Sequence, residues 1–474
     1  MDYGFLTLIP PIIAIAFAIA FRKVALALLI GIFSGELILC GWNPITAVNE
    51  LVNQILNVCA DTGNLKTFLF TTLMGAFVIL VRVSGGVNGF VTYLTEQGNK
   101  VRSKKMAMMI AYIIGVIIFI DGLLSIMFTG VVTRPLIDKY KVSREKLAYI
   151  CDSTSAPINA IIPLNSWGAM LMGLIGAEIT AGVIAGDPMN LLIRSLPFQF
   201  YSIVSLVMVL FYILSGKDWG PMKKAEERVQ KTGKLYDDGV VPLLNDSEGF
   251  DELVEPGKEN KWNMMLPLIV LIGGTFIGLL VTGKGNITEG DGTILYAVTI
   301  TLLVMGMLYT RQKIMTGKQF GDYVLKGVSN MLTLVILLVL AFAIGGVIKT
   351  LGTGTFLASL IGGKVSGAFG PAIIFLLGAV MAFSTGTSWG TFSIMMPIAI
   401  PMAVAMDSNI LLAIGAVVSG GIFGDHCSPI SDTTILSSMS VGTDLFSHVK
   451  TQLPYALVTA AIATVLYVVC GLVM

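Results

Sequence analysis

A chain of 474 residues that is 55% hydrophobic and only 12% charged, with a mean hydropathy of +0.84, falls outside the soluble globular classes and reads as an all-α polytopic membrane protein. Its net charge of +1 comes with no basic tract interleaved with aromatics, which excludes nucleic acid as a partner and leaves the lipid bilayer and small solutes. Cys40, Cys59, Cys151, Cys427 and Cys470 are scattered without CxxC or CxH spacing, so neither a zinc site nor a disulfide framework is expected, and each reads as apolar filler.

In chain order, apolar runs near 5–21, 24–41 and 67–83 are long enough, at roughly 20 residues per crossing, to span or nearly span a bilayer. The first carries Arg22 and Lys23 after its apolar stretch rather than before it, and reads as a span, not a cleaved signal. An amphipathic piece, Gly86 to Leu94, is expected at the interface. Residues 106–138 give two apolar runs around a polar interruption at Asp121 to Ser125, the pattern of a re-entrant hairpin. Residues 145–175 form a span expected to break over Cys151 to Asn159, and a span near 196–215 closes the first half. Residues 216–262 are polar and read as a connecting loop, partly helical and without chemistry of its own.

The second half repeats the order. Spans near 263–282, 293–309 and 331–349 precede an amphipathic piece at Phe356 to Ile361, a hairpin at 371–405 with its tip at Ser384 to Gly390, a broken span at 410–440 and a last span at 453–473. Local matches support an internal repeat, as in Ala156-Pro157-Ile158-Asn159 against Ser428-Pro429-Ile430-Ser431. Five crossings plus one hairpin per half, 1–215 and 263–474, make the copies inverted. Placing the loop after the first span in the cytoplasm puts most Lys and Arg and the 216–262 loop inside, leaving Lys66, Arg194, Lys284, Lys349 and Lys364 outside. Both termini are then extracytoplasmic, in a cell inner (plasma) membrane.

The densest polar run inside an apolar pattern is Ser419 to Ser440. Gly420, Gly421 and Gly424 are expected to loosen the backbone, and Pro429 lacks the N–H that an uninterrupted helix uses. Freed carbonyls, the hydroxyls of Ser428, Ser431, Thr433 and Thr434, and the carboxylates of Asp425 and Asp432 are hard oxygen ligands suited to a small cation. The plainer alternative is a helix whose Ser and Thr bond back to their own carbonyls. His426 reads equally as a proton carrier or a structural donor. From the first half, Asp121, Asp152, Ser153, Thr154, Ser155, Asn159 and Asn165 are placed near one site, and Thr385, Thr387 and Ser388 join the second-half set. Na+ is assigned to Asp152, Asp425 and Asp432 with nearby hydroxyls. Trp167 and Trp389, each in a Ser-Trp-Gly triplet, line a shared cavity or simply pack. Glu36, a carboxyl in an apolar span, is ambiguous between function and structure.

The motif GDHCSPISDTT, Gly424 to Thr434, together with CDSTSAPINAIIPLNSWG, Cys151 to Gly168, resembles the signature of the NhaC family of Na+/H+ antiporters within the ion transporter superfamily. The resemblance implies sodium or proton coupling, a scaffold, and a moving transport domain of elevator type, with no cofactor beyond transported Na+ and H+. His426-Cys427 and Ile430 depart from the Lys-Met and Leu of members carrying Na+/H+ or malate/lactate, so coupled transport of an amino acid or carboxylate stays open.

Among other classes, an enzyme using Asp425, His426 and Ser428 is disfavoured because helix neighbours point about 100° apart. His448 is expected near the cytoplasmic face with no metal partner, and a channel would not need two hairpins and two broken spans. Gly- and Ala-rich spans permit a homodimer face but serve intramolecular packing equally.

Overall fold

The computed structural model describes residues 3–21, 23–96, 103–119, 122–235, 253–254, 259–282, 294–353, 356 and 367–474. Among these the regular structure is helical. In chain order the helices are α1 Ile9–Phe21, α2 Val24–Leu39, α3 Pro44–Ala60, α4 Thr62–Val83, α5 Gly86–Glu96, α6 Lys104–Ile117, α7 Gly122–Lys139, α8 Arg144–Ile161, α9 Ser166–Thr180, α10 Pro188–Ser195 and α11 Phe200–Ser215. They continue with α12 Gly220–Thr232, α13 Trp262–Thr282, α14 Ile294–Arg311, α15 Gly317–Asn330, α16 Leu332–Leu351, α17 Gly370–Thr385, α18 Ser388–Ala405, α19 Ile410–Cys427, α20 Asp432–Val441 and α21 Leu445–Val473. Among the described residues, eight helices are long and apolar enough to cross a membrane, or up to nine when the α8–α9 pair, bent by 45°, is taken as one span. The amphipathic piece at Phe356 to Ile361 lies almost entirely outside the described residues.

Apolar runs make the helices, and capping side chains set where they start. Ser143 Oγ accepts from the Lys146 N–H, Asn409 Oδ1 from the Leu411 and Leu412 N–H groups, and Asp444 Oδ1 from the Ser447 N–H. Thr316 and Gln319 form a reciprocal capping box at α15. Helix α3 was not expected from the sequence, and it exposes an apolar stripe of Ile45, Val48, Val52 and Leu56. That spacing is one side of an amphipathic helix.

Two groups of helices share one interior. One collects α1–α5 and α13–α16. The other collects α6–α8, α11 and α17–α21, while α9 packs on α4 and α16. Small residues set the closest crossings. A Cβ on Gly75 would lie 2.4 Å from the Gly327 carbonyl oxygen, bringing α4 and α15 backbone to backbone.

The glycines of α19 act in the same way, which corrects the expectation that they unwind it. Gly420, Gly421 and Gly424 are all helical. A Cβ at Gly420 would sit 2.4 Å from the Phe375 oxygen and one at Gly424 2.2 Å from the Ala379 oxygen, both on α17, while Gly421 meets the Phe392 ring of α18 at 2.4 Å. Helix α19 is thus seated between the two arms of the α17–α18 hairpin.

The first broken span is also corrected in position. Cys151 to Asn159 is helical throughout, inside α8, and the break falls at Ile162 to Asn165. Pro157 is accommodated because the carbonyl it leaves without an N–H, that of Ser153, accepts from Ser205 Oγ at 3.3 Å. The helix ends where Ile162, held extended by the following Pro163, leaves the α region.

The connecting segment is tied down rather than loose at its start. In α12, Glu226 pairs with Lys104 of α6 and accepts from Ser143 Oγ at 2.7 Å, and Arg228 pairs with Glu145 at 2.8 Å. Just before it, Asp218 pairs with Lys146 at 2.7 Å.

Replacing Gly424 by Leu is expected to destabilise the protein by about 1–3 kcal/mol through overpacking against α17. Thermal unfolding in detergent checks this, and an unchanged midpoint would refute the packing role.

Candidate functional site

The α19–α20 break and the α17–α18 tip are built against each other. Ser428, extended before Pro429, ends α19, and Ser431 starts α20. Ser428 Oγ donates to the Phe383 carbonyl at 2.8 Å, and Gly386, at φ +67°, passes so close to the Ile430 carbonyl that a Cβ would lie 2.7 Å from its oxygen. That combination of positive φ and backbone contact requires glycine.

Asp425 is held between these two pieces. Its Oδ1 accepts from Ser431 Oγ at 2.6 Å and its Oδ2 from the Ser388 N–H at 3.1 Å, the first residue of α18. Ser431 Oγ lies 3.0 Å from Thr433 Oγ1 and accepts from the Thr433 N–H at 3.1 Å. The result is a compact set of carboxylate and hydroxyl oxygens, the donor type that suits a hard monovalent cation or a proton. Thr434 Oγ1 is buried without a hydrogen-bond partner among the described residues, whereas Thr385 Oγ1 bonds back to the Met381 carbonyl at 2.9 Å and takes no part.

The first hairpin meets the α8–α9 break through an asparagine. Asn165 Nδ2 donates to the Phe119 carbonyl at 3.0 Å and to the Asn159 carbonyl at 2.9 Å, while its Oδ1 caps α9 at the Gly168 N–H. Asn159 Nδ2 in turn donates to the Ser155 carbonyl at 2.7 Å, and Ser155 Oγ donates to Ser125 Oγ at 2.9 Å. Thr154 Oγ1 bonds back to Ile150 at 2.7 Å. In both places a side chain of the break donates to a phenylalanine carbonyl at the hairpin, Phe119 or Phe383. Asp121 lies outside the described residues.

Between these assemblies lies a cavity of about 350 Å³. Asp425, Asp432, Thr433, Thr387 and Ser388 line it on one side, and Gly122, Ala156 and Trp167 on another. Trp167 and Trp389 both reach it, with ring centroids 6.0 Å apart and planes at 86°, so the two Ser-Trp-Gly triplets do share one space. Asn330, Thr333 and Leu334 of the α15–α16 region complete the wall.

Asp152 is not part of that wall. It is fully buried in a second polar cluster, where its Oδ2 accepts from Gln452 Nε2 at 2.7 Å and lies 3.4 Å from His448 Nε2 and 3.9 Å from His426 Nε2. Ser153 Oγ is 3.0 Å from His426 Nε2, and Tyr201 Oη is 3.3 Å from His426 Nδ1. Gln452 also donates to the His426 carbonyl, fixing the end of α19 to α21. Asp425 and His426, consecutive in the chain, therefore serve different clusters, as the angular step of a helix dictates. Asp152 and Asp425, both assigned Na+ from the sequence, thus lie in separate clusters.

His448 is fully buried, with Nε2 3.4 Å from Asp152 Oδ2, a neighbour that the sequence reading did not supply. Gln452 and Tyr201 were not anticipated. His448 and Gln452 stand four apart at the start of α21, a same-face polar pair that is a usable signal. Tyr201 carries no such signal. Glu36 is buried in α2, away from the cavity wall.

Apolar spans, one bent helix pair, a second helix broken at Ser428 to Ser431 and a cavity lined by the buried Asp425 and the exposed Asp432 are the features of a polytopic membrane transporter. The model of the Na+/H+ antiporter family matches residues 164–472, and the chain belongs to that family. A Haemophilus influenzae protein described only as uncharacterized is 34% identical, covering 98% of this chain and 90% of its own length. The malate-2H+/Na+-lactate antiporter of Bacillus subtilis is 32% identical over 32% of this chain and 33% of its own length. In fold, the chain is similar to Neisseria gonorrhoeae MtrF, whose structure is described as illuminating a class of antimetabolite efflux pumps, with a TM-score of 0.60 at 12% identity over 89% of this chain and 84% of that one.

Replacing Gln452 by Leu removes the amide donor from a fully buried carboxylate and is expected to cost about 1.5–3 kcal/mol. Thermal melting of the purified variant reads this, and wild-type stability would show that Gln452 does not hold Asp152.

Proposed function

We propose that the chain is a secondary active antiporter that exchanges Na+ for H+ by alternating access, with Asp425 as the exchange carboxylate and Asp432 beside it. The observation that carries this reading is the position of Asp425, gripped by Ser431 of a helix break and Ser388 of a hairpin tip at the edge of a cavity. A carboxylate so placed is stable when a proton or a cation neutralises it and costly when bare. One site that must hold either ion before it moves enforces exchange.

The same proposal extends to architecture. Residues 1–215 and 263–474 form inverted repeats, each with a re-entrant hairpin, α6–α7 or α17–α18, followed by a broken helix, α8–α9 or α19–α20. The paired contacts on the Phe119 and Phe383 carbonyls support that correspondence. Helices α6–α8, α11 and α17–α21 move as an elevator against α1–α5 and α13–α16. Both termini lie outside the plasma membrane and residues 216–262 in the cytoplasm, supported by the distribution of Lys and Arg.

A second reading is favoured by one observation: a cavity of about 350 Å³ is larger than a bare ion needs and falls at the lower end of small-molecule pockets. In that reading an amino acid or carboxylate occupies the cavity while Na+ or H+ sits at Asp425. The name of the Bacillus subtilis relative, which pairs organic acids with both ions, supports keeping it.

Proteoliposomes with an internal pH dye test both. Sodium-driven proton efflux without solute supports direct exchange, and efflux only in the presence of an organic solute supports the second reading. Asp425→Asn and Asp432→Asn are each expected to lower coupled flux by about a hundredfold or more. Wild-type, pH-dependent flux in either variant would sink the assignment of that residue.

A further inference from the structure

The second reading leaves the solute's chemistry open, and the idle hydrogen-bonding groups of the cavity wall narrow it. We propose that the solute is a small monocarboxylate whose acceptor oxygens take the indole N–H groups of Trp167 and Trp389 and the side-chain amide of Asn330, and which binds together with Na+ at Asp425. This rests on the reading in which an organic solute shares the cavity with the coupling ion.

Most polar groups of the wall are already paired. Asp425 accepts from Ser431 and Ser388, the Thr433 N–H and hydroxyl meet Ser431 Oγ, and Thr387 Oγ1 accepts from the Gly390 N–H at 3.4 Å. Three lining side chains differ. Trp167 Nε1, Trp389 Nε1 and the Asn330 amide have no hydrogen-bond partner among the described residues. Trp167 is only 5% exposed, and its nitrogen lies at the wall, since a Cβ on the lining residue Gly122 would be 3.6 Å from Nε1. A polar group that is buried in the fold and still unpaired calls for an explanation, and a ligand acceptor supplies one. Trp389 stands beside Trp167 with ring centroids 6.0 Å apart, and Asn330 ends α15 in the other helix group, so a solute bonded to both Trp389 and Asn330 touches both groups.

The kind of atom follows from the groups. An indole N–H only donates, so an ammonium, which also only donates, cannot use it, whereas a carboxylate offers two oxygens with about four lone-pair sites. Hydrogen bonds to an ionised acceptor are roughly twice as strong as neutral ones. Charge then separates a carboxylate from a neutral acceptor. Asp425 and Asp432 make the wall negative, and none of its described residues is basic. An anion is repelled from this wall until a cation occupies Asp425, whereas a neutral solute is nearly indifferent to that ion. Coupling between two ligands requires that each favours the other's binding, and here the anion meets that condition. A second carboxylate would restore the repulsion, and about 350 Å³ limits the size, which together leave a small monocarboxylate.

The test is tryptophan fluorescence of the purified full-length protein in detergent, titrated with a panel of unsubstituted, 2-amino, 2-hydroxy and 2-oxo monocarboxylic acids. Each titration is run in Na+ and again with N-methylglucamine in its place. For whichever acid binds, its primary amide and its decarboxylated counterpart follow, with succinate as a dicarboxylate. The expected result is a saturable change for one or a few monocarboxylates, weaker by about tenfold or more without Na+, for both analogues and for succinate. Trp167→Phe keeps the ring, removes the N–H and leaves Trp389 as reporter, and it is expected to weaken binding about tenfold, as is Asn330→Leu. Should neither variant fold, the analogue and ion series on the wild-type protein decides. An amide, amine or succinate binding as well as the acid would overturn the carboxylate while leaving an organic solute in the cavity. Affinity unchanged by removing Na+, or by both folded variants, would also overturn the proposal. So would the absence of a response to any carboxylate, and a response to Na+ alone in that case leaves direct Na+/H+ exchange standing.

Discussion

A helix that breaks inside a hydrophobic slab must satisfy its freed backbone groups from within the protein, because lipid offers no hydrogen bonds. That requirement organises this molecule. At Ile162 to Asn165 and at Ser428 to Ser431 the breaks are closed by side chains that reach to a neighbouring hairpin, Asn165 to Phe119 and Ser428 to Phe383. The proline within α8 is handled the same way, by Ser205 on an adjacent helix. Each repair draws polar atoms toward the middle of the molecule, and the cavity lies where the repaired ends meet.

Helix α19 carries the largest share of this. Its glycines let α17 and α18 close on it, so its polar end is fixed to within the play of a close backbone contact. With that end fixed, consecutive residues divide the work: Asp425 turns to the cavity, His426 to the dry cluster of Asp152, His448, Gln452 and Tyr201. The second cluster ties α8, α11, α19 and α21 together with charged and polar groups fully out of water. Such groups hold geometry well because misplacing one leaves another unpaired.

Much of this was legible from the residues. Long apolar runs announced most helices, and Pro429 flanked by hydroxyl residues marked the second break, because proline and its predecessor act locally. The first break was misplaced because Cys151 to Asn159 looks equally disruptive, yet Thr154 and Asn159 bond back to their own helix and a serine from α11 completes the repair, which only tertiary structure reveals. Glycine was ambiguous for the same reason: in α19 it marks close packing rather than looseness. Helix α3 escaped notice because an amphipathic pattern of Asn, Gln and Val has neither the length nor the hydropathy of a span. The nearness of His448 to Asp152 went unread because the two stand far apart in sequence.

The connecting segment is fastened at both ends to different parts of the molecule. Helix α12 and Asp218 are ion-paired to α6 and α8, while farther along the Leu253 N–H donates to the Val83 carbonyl at the end of α4 and Val254 packs on Gly85. The segment thereby joins the two helix groups through its described ends, ion pairs to α6 and α8 at the start and a backbone hydrogen bond to α4 at the finish, so that one polar connection is shared between both.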